Sequence, residues 1–267
     1  MTTSHDPAKP SAGAAGAFFD LDRTVMSGAS TYYFAKAAVK SGFYSRRLLL
    51  RSAWKTFWFK RRGATDEQSE GVRDQVLAAV KGRTRAGMEA LLPEVLGSIL
   101  LNVYPEIYRR ILDHERAGVP TYLCSASPVE VVQPVARALG MTGALATCAE
   151  TDAEGTYTGQ LIGAFCYGGG KVVAMDAEAA KAGIDLESSW AYSDSVSDLP
   201  MLERVGHAVA VNPDRTLRDL ALEREWEIVR VEPRHGLRAA IGAGIVTGGA
   251  GVGFFTAWLL RRASRRA

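Results

Sequence analysis

Cysteine is scarce in this chain. Cys124, Cys148 and Cys166 stand far apart and form no C-x-x-C pair. That excludes a disulfide framework and a zinc site, and fits free thiols in a reducing compartment. His114, His207 and His235 follow no metal-ligand spacing and read as core or surface residues. Neither sign of charge dominates, and a formal net charge of +3 implies no nucleic-acid partner. Residues 1–16 have neither an apolar core segment nor an Arg-rich amphipathic pattern, so they read as a disordered tail and not as a signal peptide. One absence is local. From Arg23 to Thr65 there is no Asp or Glu, while Lys36, Lys40, Arg46, Arg47, Arg51, Lys55, Lys60, Arg61 and Arg62 fall in the same stretch.

What is present suits a globular protein. An apolar share of 47% against 23% charged residues can bury a full core, as one domain with an insertion or two small ones. The stretch Phe18-Phe19-Asp20-Leu21-Asp22-Arg23-Thr24 organises the rest. Apolar residues run into two carboxylates at i and i+2, which predicts a first strand over 17–22 with Asp20 at its carboxyl end. In open α/β sheets ligands gather beyond the carboxyl ends of the strands.

Between this strand and about residue 102 the periodicity is helical. Helices are expected over 30–41, 46–62, 66–80 and 88–101. In the second, Trp54, Phe57 and Trp58 gather opposite Arg47, Arg51 and Lys55. After that, strand and helix signals alternate. Strands are expected over 120–124, 144–148, 157–161, 190–193, 207–211 and 227–229. Helices are expected over 105–117, 128–139, 169–182, 198–204 and 214–223. Residues 144–161 suit a hairpin around Asp152-Ala153-Glu154-Gly155. Pro128 suits the first turn of a helix, with Ser127 as a possible cap. The alternation predicts an α/β fold, a doubly wound parallel sheet with an all-helical insertion after its first strand. The expected division is a core of 17–28 and 103–232, a helical cap of 29–102, and an apolar segment of 237–262.

Residues of the right type follow several strands. Asp20 and Asp22 follow the first, Ser125 the second, and Asp194 and Asp198 the strand at Trp190, while Lys171 opens a helix after three glycines. Phosphoryl transfer to a carboxylate needs such parts. Mg²⁺ offsets the repulsion between two anions, with Asp20 and Asp194 able to supply side-chain oxygens and Asp22 a carbonyl. A hydroxyl (Ser125) and an ammonium (Lys171) can hold phosphoryl oxygens, and Asp22 can exchange a proton with the leaving oxygen and with water.

These four ordered motifs, the last being Tyr192-Ser193-Asp194-Ser195-Val196-Ser197-Asp198, resemble the haloacid dehalogenase superfamily, most closely its phosphoserine-phosphatase-like branch. The resemblance covers about residues 17–230. It implies a Mg²⁺-dependent phosphomonoester hydrolase working through an aspartyl-phosphate. Asp20 would be nucleophile and metal ligand, Asp22 general acid/base, and Asp194 a further metal ligand. Ser125, the adjoining Ala126 and Lys171 would bind phosphate. Thr24 and Asp198 would support them, Asp198 by orienting Lys171, with helix capping as its alternative. A phosphoserine phosphatase or a phosphotransferase with the same intermediate, and a membrane-associated regulator of the developmental-repressor type, are the rival readings.

Phosphoserine phosphatases of that branch pair the substrate ammonium with an acid soon after the nucleophile loop. This chain has none there, and a like charge close by costs roughly 1 kcal/mol or more. Free phosphoserine is therefore expected to be a poor substrate, and a more anionic or lipidic ester a better one. Arg73 could meet a substrate carboxylate. Residues 239–260 carry no charge and are followed by Arg261, Arg262, Arg265 and Arg266. As a helix they would span about 33 Å. They are read as a membrane-anchoring tail, with a glycine-rich helix in water as the alternative. With the basic-aromatic helix at 46–62, the tail would hold the catalytic domain at the cytoplasmic face of a membrane.

Overall fold

The computed structural model describes residues 13–42, 71, 73, 74, 77, 78 and 80–232. The expected helix at 46–62 and the apolar segment at 239–260 lie outside these residues. Among the described residues, no helix is long and apolar enough to cross a membrane.

The first strand, β1 (Ala17–Asp20), is buried at every position. A strand covered on both faces reads as an unbroken apolar run, and such strands belong to parallel sheets. The helical stretch after it contains α1 (Ser30–Lys40), α2 (Arg85–Glu89) and α3 (Leu92–Leu100). Then come α4 (Pro105–Arg116), β2 (Thr121–Pro128), α5 (Val129–Ala138), β3 (Gly143–Thr151), β4 (Tyr157–Ile162) and α6 (Gly169–Ala182). The chain continues through β5 (Trp190–Ser193), α7 (Leu199–Glu203), β6 (His207–Val211), α8 (Arg215–Glu223) and β7 (Glu227–Val229). The strand order is β4-β3-β2-β1-β5-β6-β7, parallel except where β4 turns back on β3. This is the doubly wound α/β fold expected, with β1 at the centre.

Alternation along β1 divides the core. Phe19 enters an apolar layer with Ile107, Ile111, Val132 and Val135 of α4 and α5. Phe18 enters the opposite layer with Met175, Met201, Leu202 and Leu217 of α6, α7 and α8. Phe19 stacks on Tyr192 of β5 at 4.2 Å, and Phe18 on Tyr122 of β2 at 5.4 Å. Val95 and Ile99 of α3, with Ala37 and Ala38 of α1, join the first layer.

Some boundaries differ from expectation. The helix expected over 88–101 is two helices, because Pro93 lacks an N–H and restarts the backbone in the first turn of α3. Strand β2 runs on through Ser125 to Pro128, so Pro128 precedes α5 and does not form its first turn. Ser127 does not cap that helix; its Oγ pairs with Ser30 Oγ at 2.7 Å. The β3–β4 hairpin reaches back to the helical stretch: Tyr157 N donates to Arg83 O at 2.8 Å, and Arg85 N to Gly155 O at 2.9 Å. Val80, Met88, Ala149 and Tyr157 close a small apolar cluster there.

Candidate active site

Register places the carboxyl ends of three strands side by side. Asp20 lies opposite Cys124 of β2, and Phe19 lies opposite Tyr192 of β5. Ser125 and Asp194 are therefore each within a residue or two of Asp20's level in the sheet. Beyond β1 the chain coils at once: Val25 N and Met26 N both donate to Leu21 O, and Arg23 N donates to Gly28 O. Arg23 adopts a positive φ of 63° to permit this turn. The coil presents Asp22 Oδ1 to the backbone N–H of Ser30 at 2.8 Å.

Lys171 comes from the other side of the sheet, in the first turn of α6. Gly170 lets that turn form, because a Cβ there would sit 1.8 Å from Phe165 O. Lys171 Nζ donates to Asp20 Oδ1 at 2.6 Å and to Asp198 Oδ2 at 2.8 Å. Ser193 Oγ donates to the same Asp198 oxygen at 2.7 Å. Asp198 precedes α7 but makes no capping bond, so its carboxylate serves Lys171. Asp194 Oδ2 accepts from Arg23 Nε at 2.6 Å.

Burial sets the protonation of these groups. It pushes the Asp20 carboxyl up to about 8; Lys171 opposes this, while Asp198, Asp194 and Asp22 add to it. Burial likewise raises Asp22, against the Ser30 hydrogen bond, and lifts Asp194 to about 6 against the pull of Arg23. Burial works against the Lys171 ammonium, but Asp198 and Asp20 outweigh it and hold the amine well above its usual value. Four carboxylates thus share two cations, Lys171 and Arg23, in a nearly dry site.

The sequence pattern of the haloacid dehalogenase-like hydrolases matches residues 17–203, from β1 to α7. The chain belongs to that family. This hydrolase is similar to a probable phosphatase of Mycobacterium tuberculosis, 40% identical over 85% of this chain and 79% of the relative. It is similar to a phosphoserine phosphatase of the same organism, 36% identical over 94% of this chain and 82% of the relative. A Streptomyces azureus protein named for inhibition of morphological differentiation is 37% identical over 87% and 90% of the two chains. A Bordetella pertussis protein of unknown function superposes with a TM-score of 0.71 at 28% identity, over 81% of this chain and 98% of that one. Family and relatives together make the enzyme a phosphatase.

Phosphatases of this family generally use Mg²⁺. Among the described residues no three His, Cys, Asp or Glu side chains form a ready-made metal cluster. The residues nonetheless fit Mg²⁺ in their chemistry. Asp20 and Asp194 carry hard carboxylate oxygens and Asp22 a backbone carbonyl, the donor types Mg²⁺ takes together with several waters. The surplus of negative charge is what such a cation would neutralise. Arg23, half exposed at 51%, covers Asp194 and would yield to it.

The structure brings together Asp20, Lys171 and Asp198 directly and ranks Ser125 and Asp194 alongside. Ser125 Oγ accepts from Ser127 N at 3.2 Å, which shapes the turn containing Ala126. Thr24 Oγ1 is buried with no hydrogen-bond partner beneath the coil. Arg73 pairs with its neighbour Asp74 at 3.0 Å and not with the Asp20 cluster. Four contributors carried no signal of their own in the sequence. Arg23 screens Asp194, Ser30 holds Asp22, and Ser193 braces Asp198. Asp214 accepts from Val196 N at 3.0 Å while its own N–H donates to Asp194 O at 2.8 Å. Arg23 and Ser193 lie inside the recognised motifs; Ser30 and Asp214 are united with them only by folding. His114 is structural, its Nε2 paired with the Tyr192 hydroxyl at 2.8 Å.

Proposed function

We propose that this phosphatase hydrolyses a phosphomonoester through a covalent phosphoryl group on Asp20. The reading rests on one arrangement: a carboxylate at the tip of the central strand, held by the Lys171 ammonium, with a second carboxylate two residues on. An Asp20 oxygen attacks phosphorus as the ester P–O bond breaks. Asp22, whose raised affinity for a proton suits the task, gives that proton to the departing alkoxide. Water then attacks the phosphoryl-Asp20, Asp22 takes its proton back, and inorganic phosphate leaves with Asp20 restored. Lys171 and Ser125 would hold the equatorial oxygens. Asp20, Asp194 and the Asp22 carbonyl would hold Mg²⁺, which when bound lowers the repulsion between carboxylate and phosphoryl group.

The helical stretch over 29–102 serves in this reading as the cap that selects the alcohol. The missing acid between Arg23 and Thr65 supports an ester without a free ammonium, strongly anionic or lipidic in character. Lys40, one of the basic residues of that stretch, is already matched by Glu94 at 3.1 Å. The relative named phosphoserine phosphatase makes phosphoserine the deciding comparator. Membrane attachment through 239–260 remains part of the proposal on sequence grounds alone.

Turnover of para-nitrophenyl phosphate with and without Mg²⁺, for wild type and Asp20→Asn, tests the mechanism. Activity that survives Asp20→Asn defeats it. A panel of phosphoserine, lysophosphatidate and sugar phosphates tests the alcohol, and a clear preference for phosphoserine reverses that part.

A further inference from the structure

Two serine hydroxyls that the chemistry above leaves idle meet behind Asp22. Ser30 opens α1 and Ser127 lies two residues after Ser125; they are 1% and 6% exposed. Their Oγ atoms are 2.7 Å apart. The backbone of each also holds a residue of the site. Ser30 N donates to Asp22 Oδ1 at 2.8 Å, and Ser127 N donates to Ser125 Oγ at 3.2 Å. The Ser30 hydroxyl lies near the same Asp22 carboxylate, and it and the N–H both favour the charged form. A continuous run of polar contacts therefore joins Asp22, Ser30, Ser127 and Ser125.

A hydroxyl is costly to bury unless it is bonded, and two alanines in contact would need no partner at all. What the serine pair adds is position. It fixes the first residue of α1 against the Ser125 turn at hydrogen-bond length. On one side, Ser127 N–H occupies an acceptor site of Ser125 Oγ, which leaves the Ser125 proton for a phosphoryl oxygen. On the other, Ser30 ties one end of the Asp22 carboxylate. Asp22 needs such a tie, because it stands half-buried on the coil beyond β1. A general acid must also lie within hydrogen-bond reach of the oxygen it protonates. We infer that the Ser30–Ser127 hydroxyl pair is a positioning device for the general acid, holding the Asp22 carboxylate in register with the phosphoryl group bound at Ser125. The inference rests on the role proposed for Asp22 above and adds two residues to it.

Leaving groups separate this from a contact that only stiffens the fold. Para-nitrophenolate departs readily without a proton, whereas phenolate and para-methoxyphenolate need one increasingly. On the three aryl phosphates kcat/KM reports the transfer to Asp20, whichever later step limits turnover. Ser30→Ala keeps the backbone N–H and removes the hydroxyl pair. It should lower kcat/KM by about tenfold on phenyl and para-methoxyphenyl phosphate and by no more than about twofold on para-nitrophenyl phosphate, part of the roughly 100- to 10,000-fold a general acid contributes. Asp22→Asn should show the same order of losses on a larger scale, and adding Ser30→Ala to it should cost nothing further. A Ser30→Ala loss equal on all three esters, no loss on any, or a further loss in the double variant would overturn the assignment. If Asp22→Asn itself lowers all three equally, the acid role of Asp22 falls and takes this inference with it. Failure of wild type to turn over para-nitrophenyl phosphate would instead remove the phosphatase reading. If Ser30→Ala does not fold, Ser127→Ala must show the same selective loss, and its absence overturns the proposal.

Discussion

A buried cluster of carboxylates around Asp20 and the single buried carboxylate of Glu130 are treated differently by this fold. Around Asp20, donors are plentiful: Lys171, Ser193 and Ser30 each commit a proton to Asp20, Asp198 or Asp22. Around Glu130, the Arg85 guanidinium stands 3.4 Å from Oε1 and the Tyr157 hydroxyl lies against the same carboxylate. The first cluster is short of positive charge; at the second, one carboxylate meets one guanidinium. A site short of charge suits a metal and an anion. The difference teaches that burial alone does not say what a carboxylate is for; the balance of charge around it does.

The largest effect should come from Asp20→Asn, which removes the nucleophile and keeps the shape. Turnover of para-nitrophenyl phosphate should fall by at least about 1,000-fold, with the thermal midpoint close to that of wild type. A residual rate within about tenfold would erase the distinction between the two groups. Next comes Lys171→Met. It leaves Asp20 and Asp198 buried without their cation, a loss of about 3–5 kcal/mol for a broken buried pair. Urea unfolding would measure it, and an unchanged midpoint would show that Lys171 does not hold the cluster.

The charge deficit also gives a pH signature. Asp20, raised to about 8, and Asp194, raised to about 6, hold protons in the folded state that the unfolded chain loses near 4. Without metal, stability should therefore be greatest below about pH 4 as far as these groups decide it. It should fall as the pH climbs towards 8. Mg²⁺ competes with those protons, so its thermal shift should grow over the same interval; a shift that is flat with pH would contradict the assignment. The smallest effect should come from Arg23→Ala. Freed of a half-exposed partner, Asp194 should bind Mg²⁺ more tightly by up to about fivefold, in line with the weakness of exposed ion pairs. Titration calorimetry would read it, and weaker binding would mean that Arg23 helps the metal site.

Much of this was legible along the chain. Phe18-Phe19-Asp20 announced a doubly covered strand with a carboxylate at its tip, and the glycines before Lys171 announced a helix start. The alternation of strands and helices gave the sheet its type. Other features were not legible. Pro93 splits a helical run that periodicity reads as one. Ser127 has the look of a cap, yet its partner Ser30 is 97 residues away. Glu130 sits in an ordinary amphipathic helix, and nothing in its spacing tells that it is buried against Arg85.

By itself the sequence determined the strand set and the acidic residues at the tip of β1, because alternation, burial runs and turn residues act over a few neighbours; the central place of β1 came with the sheet order. Which charges meet was decided only by the tertiary structure. Lys171 reaches Asp20 across 151 positions, and Arg85 approaches Glu130 from another helix. Electrostatic partners depend on distance through space and on the exclusion of water, and neither is encoded in the spacing of residues along the chain.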